Sequence, residues 1–153
     1  MPLFSLPELR ARLGRHQRLI GIDPGRRTIG VALSDVLLSL ASPFGSLPRR
    51  KLRDNAAAIV AIALQQEAGG LVVGWPLSMD GSVGPAAQAA RDWALALSDA
   101  TSLPAALWDE RLSTAAVNRI LTGEADLSRK RRAASVDRMA AAWLLQSALD
   151  SLR

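Results

Sequence analysis

Apolar and polar positions change rhythm along this chain. From Arg18 to Asp23 the side chains are mostly apolar, and the run closes on Asp23-Pro24-Gly25. A short apolar run ended by such a turn signal predicts a buried strand. From Thr28 to Ser34, Ile29, Val31 and Leu33 alternate with their neighbours, which predicts a second strand with those three on one face. Ala41–Leu47 predicts a third, interrupted by Pro43 and Gly45. Connections this short imply an antiparallel meander. Ahead of it, residues 5–14 predict a short amphipathic helix through Leu6, Leu9 and Leu13, an accessory packing element.

The second half has a different period. Leu52–Gln66 predicts a helix and Leu71–Gly74 a short buried strand. Pro85–Ser98 predicts a helix that opens on a proline, where the missing N–H costs nothing. Leu103–Trp108 predicts a strand, Ser113–Leu121 a helix and Ser135–Leu152 a long final helix. Three meandering strands followed by alternating helices and strands predict an α/β fold: a mixed five-stranded sheet flanked by helices. There is no internal repeat and no low-complexity linker. The 153 residues make one domain, and a domain of this size buries roughly 68–70% of its unfolded surface.

Composition narrows the chemistry. The chain is 49% apolar and 22% charged, an ordinary globular mix. Its longest apolar run, Ala56–Leu64, is far short of the ~18–20 residues of a membrane span. The N-terminus lacks the basic-then-apolar pattern of a signal peptide, so the expected compartment is the cytoplasm. The absence of cysteine excludes disulfides, zinc–thiolate sites and thiol catalysis. The absence of tyrosine excludes a tyrosine–phosphate intermediate, and a single histidine, His16, excludes histidine-rich metal sites. Hydrolytic chemistry is left to carboxylates with a hard, oxygen-seeking ion such as Mg²⁺ or Mn²⁺. A net charge of +5 favours an anionic partner, nucleic acid foremost.

Three acidic positions stand at element ends. Asp23 closes the first strand; alone, it reads equally as a turn former. Asp109-Glu110 follows the strand Leu103–Trp108, and because adjacent strand residues face opposite ways, only one of the two can join Asp23. Asp137 is placed in the first turn of the final helix, where the helix dipole favours an acid by ~0.3–1 kcal/mol. It also shares a face with Ala140, Ala141 and Leu144. Two divalent ions held by such acids can activate water and steady the leaving oxygen in phosphodiester cleavage.

Four ordered segments carry a resemblance. They are Gly21-Ile22-Asp23-Pro24-Gly25 running into Thr28-Ile29-Gly30-Val31-Ala32-Leu33-Ser34-Asp35; Val73-Gly74-Trp75-Pro76-Leu77-Ser78-Met79-Asp80-Gly81-Ser82; Trp108-Asp109-Glu110-Arg111-Leu112-Ser113-Thr114; and Val136-Asp137-Arg138-Met139-Ala140-Ala141. Together they resemble the YqgF (RuvX) family of Holliday-junction-resolvase-like proteins associated with ribosomal RNA maturation. The resemblance covers about residues 18–150 and leaves 1–17 as an N-terminal extension to a nuclease domain over 18–153. It implies a ribonuclease H-like fold, a metal-dependent nuclease working on precursor ribosomal RNA or branched DNA, and a catalytic, metal-binding set of Asp23, Glu110 and Asp137. Glu110 rather than Asp109 is thereby chosen. Either a monomer or a homodimer is compatible with it.

Around that set, Arg111, the run Arg129-Lys130-Arg131-Arg132 and Arg138 are the candidates for nucleic-acid contact. Arg111 reads equally as a structural ion pair, and the run as a solvated face. Trp75 stands where the family usually has an aliphatic residue; core or rim packing is favoured there over base stacking. The Gly74–Gly84 loop is expected to border the cleft, with Asp80 capping a turn. Two rivals stay open. Asp23-Pro24-Gly25 with Thr28 is also similar to the phosphate loop of actin-like ATPases and sugar kinases, which need two such domains. A non-catalytic RNA- or ribosome-binding module is the other.

Overall fold

The computed structural model describes residues 2–112 and 129–153, with side chains in the final helix described from residue 138 onward. The helix expected over Ser113–Leu121 lies outside the described residues. Helix α1 spans Leu6–Arg12, followed by strands β1 (Arg18–Pro24), β2 (Thr28–Ser34) and β3 (Ala41–Pro48). Then come α2 (Leu52–Gln66), β4 (Ala68–Trp75), α3 (Pro85–Thr101), β5 (Ala105–Asp109), a 3-10 turn (Glu110–Leu112) and helix α4 (Arg129–Asp150).

The sheet has the order β3-β2-β1-β4-β5. The two hairpins pair antiparallel, while β1–β4 and β4–β5 pair parallel. Parallel neighbours need long crossovers, which α2 and α3 supply. Alternation along the strands sorts the core into two layers. Ile20, Ile22, Val31, Leu71 and Val73 pack with Ile59 of α2 and Leu97 of α3. Leu19, Ala32, Val72 and Ala106 pack on the opposite face with Leu6 and Leu9 of α1 and with Leu145 and Leu149 of α4. With both faces covered, β1 and β4 are buried almost throughout, as central strands of a mixed sheet must be.

Several boundaries differ from the expected ones for identifiable reasons. Strand β3 runs through Pro43 and Gly45 because it is an edge strand, and its register shifts where Val31 and Ala32 of β2 face Gly45 and Pro43. Strand β4 starts three residues early, since Ala68, Gly69 and Gly70 form strand backbone without an apolar signature. Helix α3 continues past Ser98 to Thr101: the Thr101 hydroxyl bonds the Leu97 carbonyl at 2.8 Å, and the turn ends on Ser102 in the left-handed region. Helix α1 is shorter than expected and starts at a capping box between Ser5 and Glu8. Phe4, just before it, pairs with Ala106, so the N-terminal segment adds a bridge beside β5.

The largest correction concerns α4. It is already helical at Arg129, six residues before the expected start, so Asp137 does not stand in its first turn. Arg129–Arg132 lie in the helix rather than ahead of it. Arg, Lys and Ala are strong helix formers, and the segment Arg129-Lys130-Arg131-Arg132-Ala133-Ala134 favours helix without any apolar face. The dipole argument for Asp137 therefore falls away, while its spacing from the buried Ala140, Ala141 and Leu144 stands.

Asp35 closes the β2–β3 connection. Its carboxylate accepts from the Ser39 hydroxyl at 2.6 Å, the Ser39 amide at 2.8 Å and the Leu40 amide at 3.2 Å. The Ser39 hydroxyl above all holds its pKa below the ordinary 3.8, against some desolvation. A carboxyl whose folded pKa is lowered stabilises the fold above its unfolded value, and that contribution is lost as pH falls through the folded pKa. Asp35→Ala is expected to cost about 1–2 kcal/mol at pH 7, allowing for solvent screening. The difference from the parent should shrink as pH drops below 3.8. Urea melts at pH 7 and pH 3 check this, and an equal difference at both would contradict it.

Candidate active site

Asp23 sits near the end of β1, opposite Gly30 of β2, with only 2% of its surface exposed. Two residues earlier on the same face is Gly21, where a Cβ would lie 2.8 Å from Leu145 Cβ and 3.2 Å from the Ala141 carbonyl oxygen of α4. Glycine is required there because helix α4 rests directly on the strand. By alternation Asp23 therefore faces the α4 side of the sheet.

Glu110 approaches the same side from β5. It is not a strand residue, as the sequence suggested, but the first residue of the 3-10 turn. Its carboxylate lies over Gly74: a Cβ on Gly74 would meet Glu110 Oε1 at 2.7 Å and Leu144 Cδ2 at 3.2 Å. Gly74 follows Val73, the parallel partner of Ile22, so it stands beside Asp23 in the sheet. Neighbouring strands are about 4.8 Å apart. The fold thus brings the Asp23 and Glu110 positions to one edge and one face, between the sheet and α4. Burial raises the Glu110 pKa, and the neighbouring Asp109 charge raises it further.

Asp109 is used differently. Its carboxylate takes the Arg111 guanidinium in a fork, with Nε at 3.1 and 3.0 Å and Nη2 at 2.6 Å. The Arg111 hydrogen bonds hold Asp109 below the usual carboxylate range, against partial burial. Arg111 also donates to the Met79 carbonyl at 3.3 Å, tying the Gly74–Gly84 loop to the end of β5. The structural ion pair is thus present at Arg111. In that loop Asp80 accepts from the Ser82 amide at 2.9 Å, the expected turn cap. Trp75 donates its indole N–H to the Ala87 carbonyl at 3.0 Å, fastening the loop to α3 in the packing role favoured for it.

The Asp137 backbone is part of α4, one turn before Ala141; its side chain lies outside the described residues, as do those of Arg129, Lys130, Arg131 and Arg132. Arg138 is exposed. Among the described residues no three metal-ligating side chains gather together. The two acids whose positions share this face and edge suit a hard divalent ion by donor type, being carboxylate oxygens without nitrogen or sulfur. Glu110, disfavoured as an anion by burial beside Asp109, would be relieved by a cation there.

Sequence reasoning did not find the close approaches at Gly21 and Gly74, for which a glycine inside a strand was the available signal. Nor did it find the cavity of about 150 Å³ beside the Asp23 turn, lined in part by Arg26, Arg49 and Trp93. Those residues are far apart in the chain and share no periodic pattern.

A family model described as "RuvX: Holliday junction resolvase" matches residues 17–151. A relative from Gluconacetobacter diazotrophicus, provisionally named a pre-16S rRNA nuclease, is 61% identical over 99% of this chain and 98% of its own length. One from Gluconobacter oxydans with the same provisional name is 58% identical over 100% of this chain and 96% of its own. Among solved structures, T. thermophilus RuvC in complex with a Holliday junction substrate aligns with a TM-score of 0.55 at 17% identity, covering 90% of this chain and 96% of that one. At that identity the likeness concerns the fold, which is the ribonuclease H-like one that the family resemblance implied. No helix among the described residues is long and apolar enough to cross a membrane.

Proposed function

The chain belongs to the RuvX family, and from that premise we propose that it is a metal-dependent nuclease hydrolysing phosphodiester bonds in the 5′-end maturation of precursor 16S ribosomal RNA. The observation that carries the chemistry is the placement of Asp23 and Glu110 on one face at one sheet edge, with the Glu110 carboxylate seated over Gly74. Asp137, one turn before the Ala141 carbonyl that rests on Gly21, is the third member of the set. These three acids would hold Mg²⁺ or Mn²⁺. Bound there, the ions supply the Lewis acidity that phosphodiester hydrolysis needs.

The chain's own residues then have separate tasks. Asp23 and Glu110 fix where the scissile phosphate lies, because one is anchored in a buried strand and the other is wedged between β4 and α4. Arg111 neutralises Asp109 and holds the Gly74–Gly84 loop, and Arg138, exposed on α4, adds positive charge next to Asp137 in the chain. Arg129, Lys130, Arg131 and Arg132 extend that charge along the same helix as phosphate contacts. A precursor-RNA nuclease of this kind works in the cytoplasm.

A branched-DNA substrate is the second reading, favoured by the family description and by the RuvC fold. The test is cleavage by the purified protein of precursor 16S RNA and of a four-way DNA junction, each with Mg²⁺, with Mn²⁺ and with chelator. Metal-dependent cutting of the RNA near the mature 5′ end is expected; cutting of the junction alone would transfer the function to DNA. Arg111→Ala should lower turnover roughly 10- to 100-fold, since it frees the loop and leaves the Asp109 charge uncompensated beside Glu110. A rise in KM with unchanged kcat would instead make Arg111 a substrate contact.

A further inference from the structure

The cavity beside the Asp23 turn lies on the face of the sheet opposite the carboxylates. Its walls are the Pro24–Gly25 turn, Pro76, the exposed side of α3 at Ala89, and the side chains of Arg26, Arg49 and Trp93. Three features separate it from an ordinary surface dent. Arg49 is held in place: its Nη1 donates to the Gly25 carbonyl at 2.8 Å and its guanidinium lies 5.1 Å from the centroid of the Trp93 ring. The backbone around it is pinned too, the Arg49 amide bonding the Arg27 carbonyl at 2.8 Å. Alanines on α3 leave the space open where larger residues would fill it.

The lining chemistry selects a ligand class. Among the described residues no carboxylate lines the cavity, and this lining does not suit a metal ion. An apolar floor with an aromatic ring and two guanidinium groups suits a nucleobase with its phosphate. At about 150 Å³ it is well below the roughly 300–1,000 Å³ of a pocket for a larger ligand, which leaves room for a single unit. The position selects which unit. Pro24, bonded directly to Asp23, lines the cavity, so a strand that has its phosphate at the carboxylate edge and crosses the β1–β2 turn meets this cavity.

We infer that this cavity is a subsite for one unpaired nucleotide adjoining the scissile phosphate, its base received between Trp93 and the α3 alanines and its phosphate by Arg26 and Arg49. The inference rests on the nuclease reading for the location of the scissile phosphate. Because Arg49 is already fixed by Gly25 and Trp93, little side-chain order is lost when a nucleotide enters.

The experiment is binding of labelled single-stranded RNA by the full-length protein in chelator, scanning one abasic nucleotide along the oligonucleotide. The parent should show one position where loss of the base weakens binding roughly 5- to 100-fold, with small effects elsewhere. Ala89→Leu, an exposed helical position that tolerates leucine, fills the cavity and should erase that position-specific penalty. Arg49→Ala should reduce the salt slope of binding by roughly one. A flat abasic profile in the parent, an unchanged profile in Ala89→Leu, or no RNA binding at all would overturn the subsite. The same oligonucleotides with Mg²⁺ or Mn²⁺ separate the two ideas. Metal-dependent cutting with a flat profile refutes the subsite alone, whereas a position-specific profile without cutting refutes the nuclease reading alone.

Discussion

Asp23→Asn is expected to reduce metal-dependent cleavage by about 10³-fold or more, with RNA binding largely intact. Asn keeps the size of the side chain and one oxygen, so the buried end of β1 stays packed; what is lost is the negative charge at a position only 2% exposed. Within such a site a ligand's charge counts for far more than in water. The proposed phosphate contacts Arg129, Lys130, Arg131, Arg132 and Arg138 are untouched. Single-turnover cleavage with a parallel binding titration checks this. Full activity in the variant would remove Asp23 from the site, and equal losses of binding and cleavage would recast it as a structural residue.

Gly21→Ala has the second large effect, and it acts through the helix rather than the chemistry. The new methyl would stand 2.8 Å from Leu145 Cβ and 3.2 Å from the Ala141 carbonyl oxygen. Neither is the free end of a flexible side chain, so α4 must lift from β1. Overpacking of this kind costs about 1–3 kcal/mol. Because α4 also carries Asp137, cleavage should fall beyond what the unfolded fraction explains, by roughly 100-fold for an ångström-scale displacement. Denaturant melts and kinetics on the folded fraction separate the two. A variant as stable and active as the parent would show that the helix does not rest on Gly21.

Much of this architecture was legible because its signals are local. The apolar run ending in Asp23-Pro24-Gly25, the alternation of Ile29, Val31 and Leu33, and the helix over Leu52–Gln66 each appear where the pattern put them. The start of α4 was not legible from apolar periodicity, since Arg129–Ala134 is helical by backbone propensity and offers no apolar stripe. The choice between Asp109 and Glu110 came from the family resemblance. In the structure Arg111 pairs with Asp109, and the 3-10 turn sends Glu110 over Gly74. Strand alternation, the rule available from sequence, does not operate at Glu110. The cavity joins Arg26, Arg49 and Trp93 across the sheet edge, a juxtaposition that only the register of β1–β3 and the seating of α3 create.

The central claim is that Asp23, Glu110 and Asp137 share a divalent ion. It is tested most directly by a crystal soaked in Mn²⁺ and read by anomalous scattering. A peak within coordination distance of these carboxylates is expected, absent in Asp23→Asn. Carboxylates more than about 10 Å apart and an empty edge at saturating Mn²⁺ would contradict it.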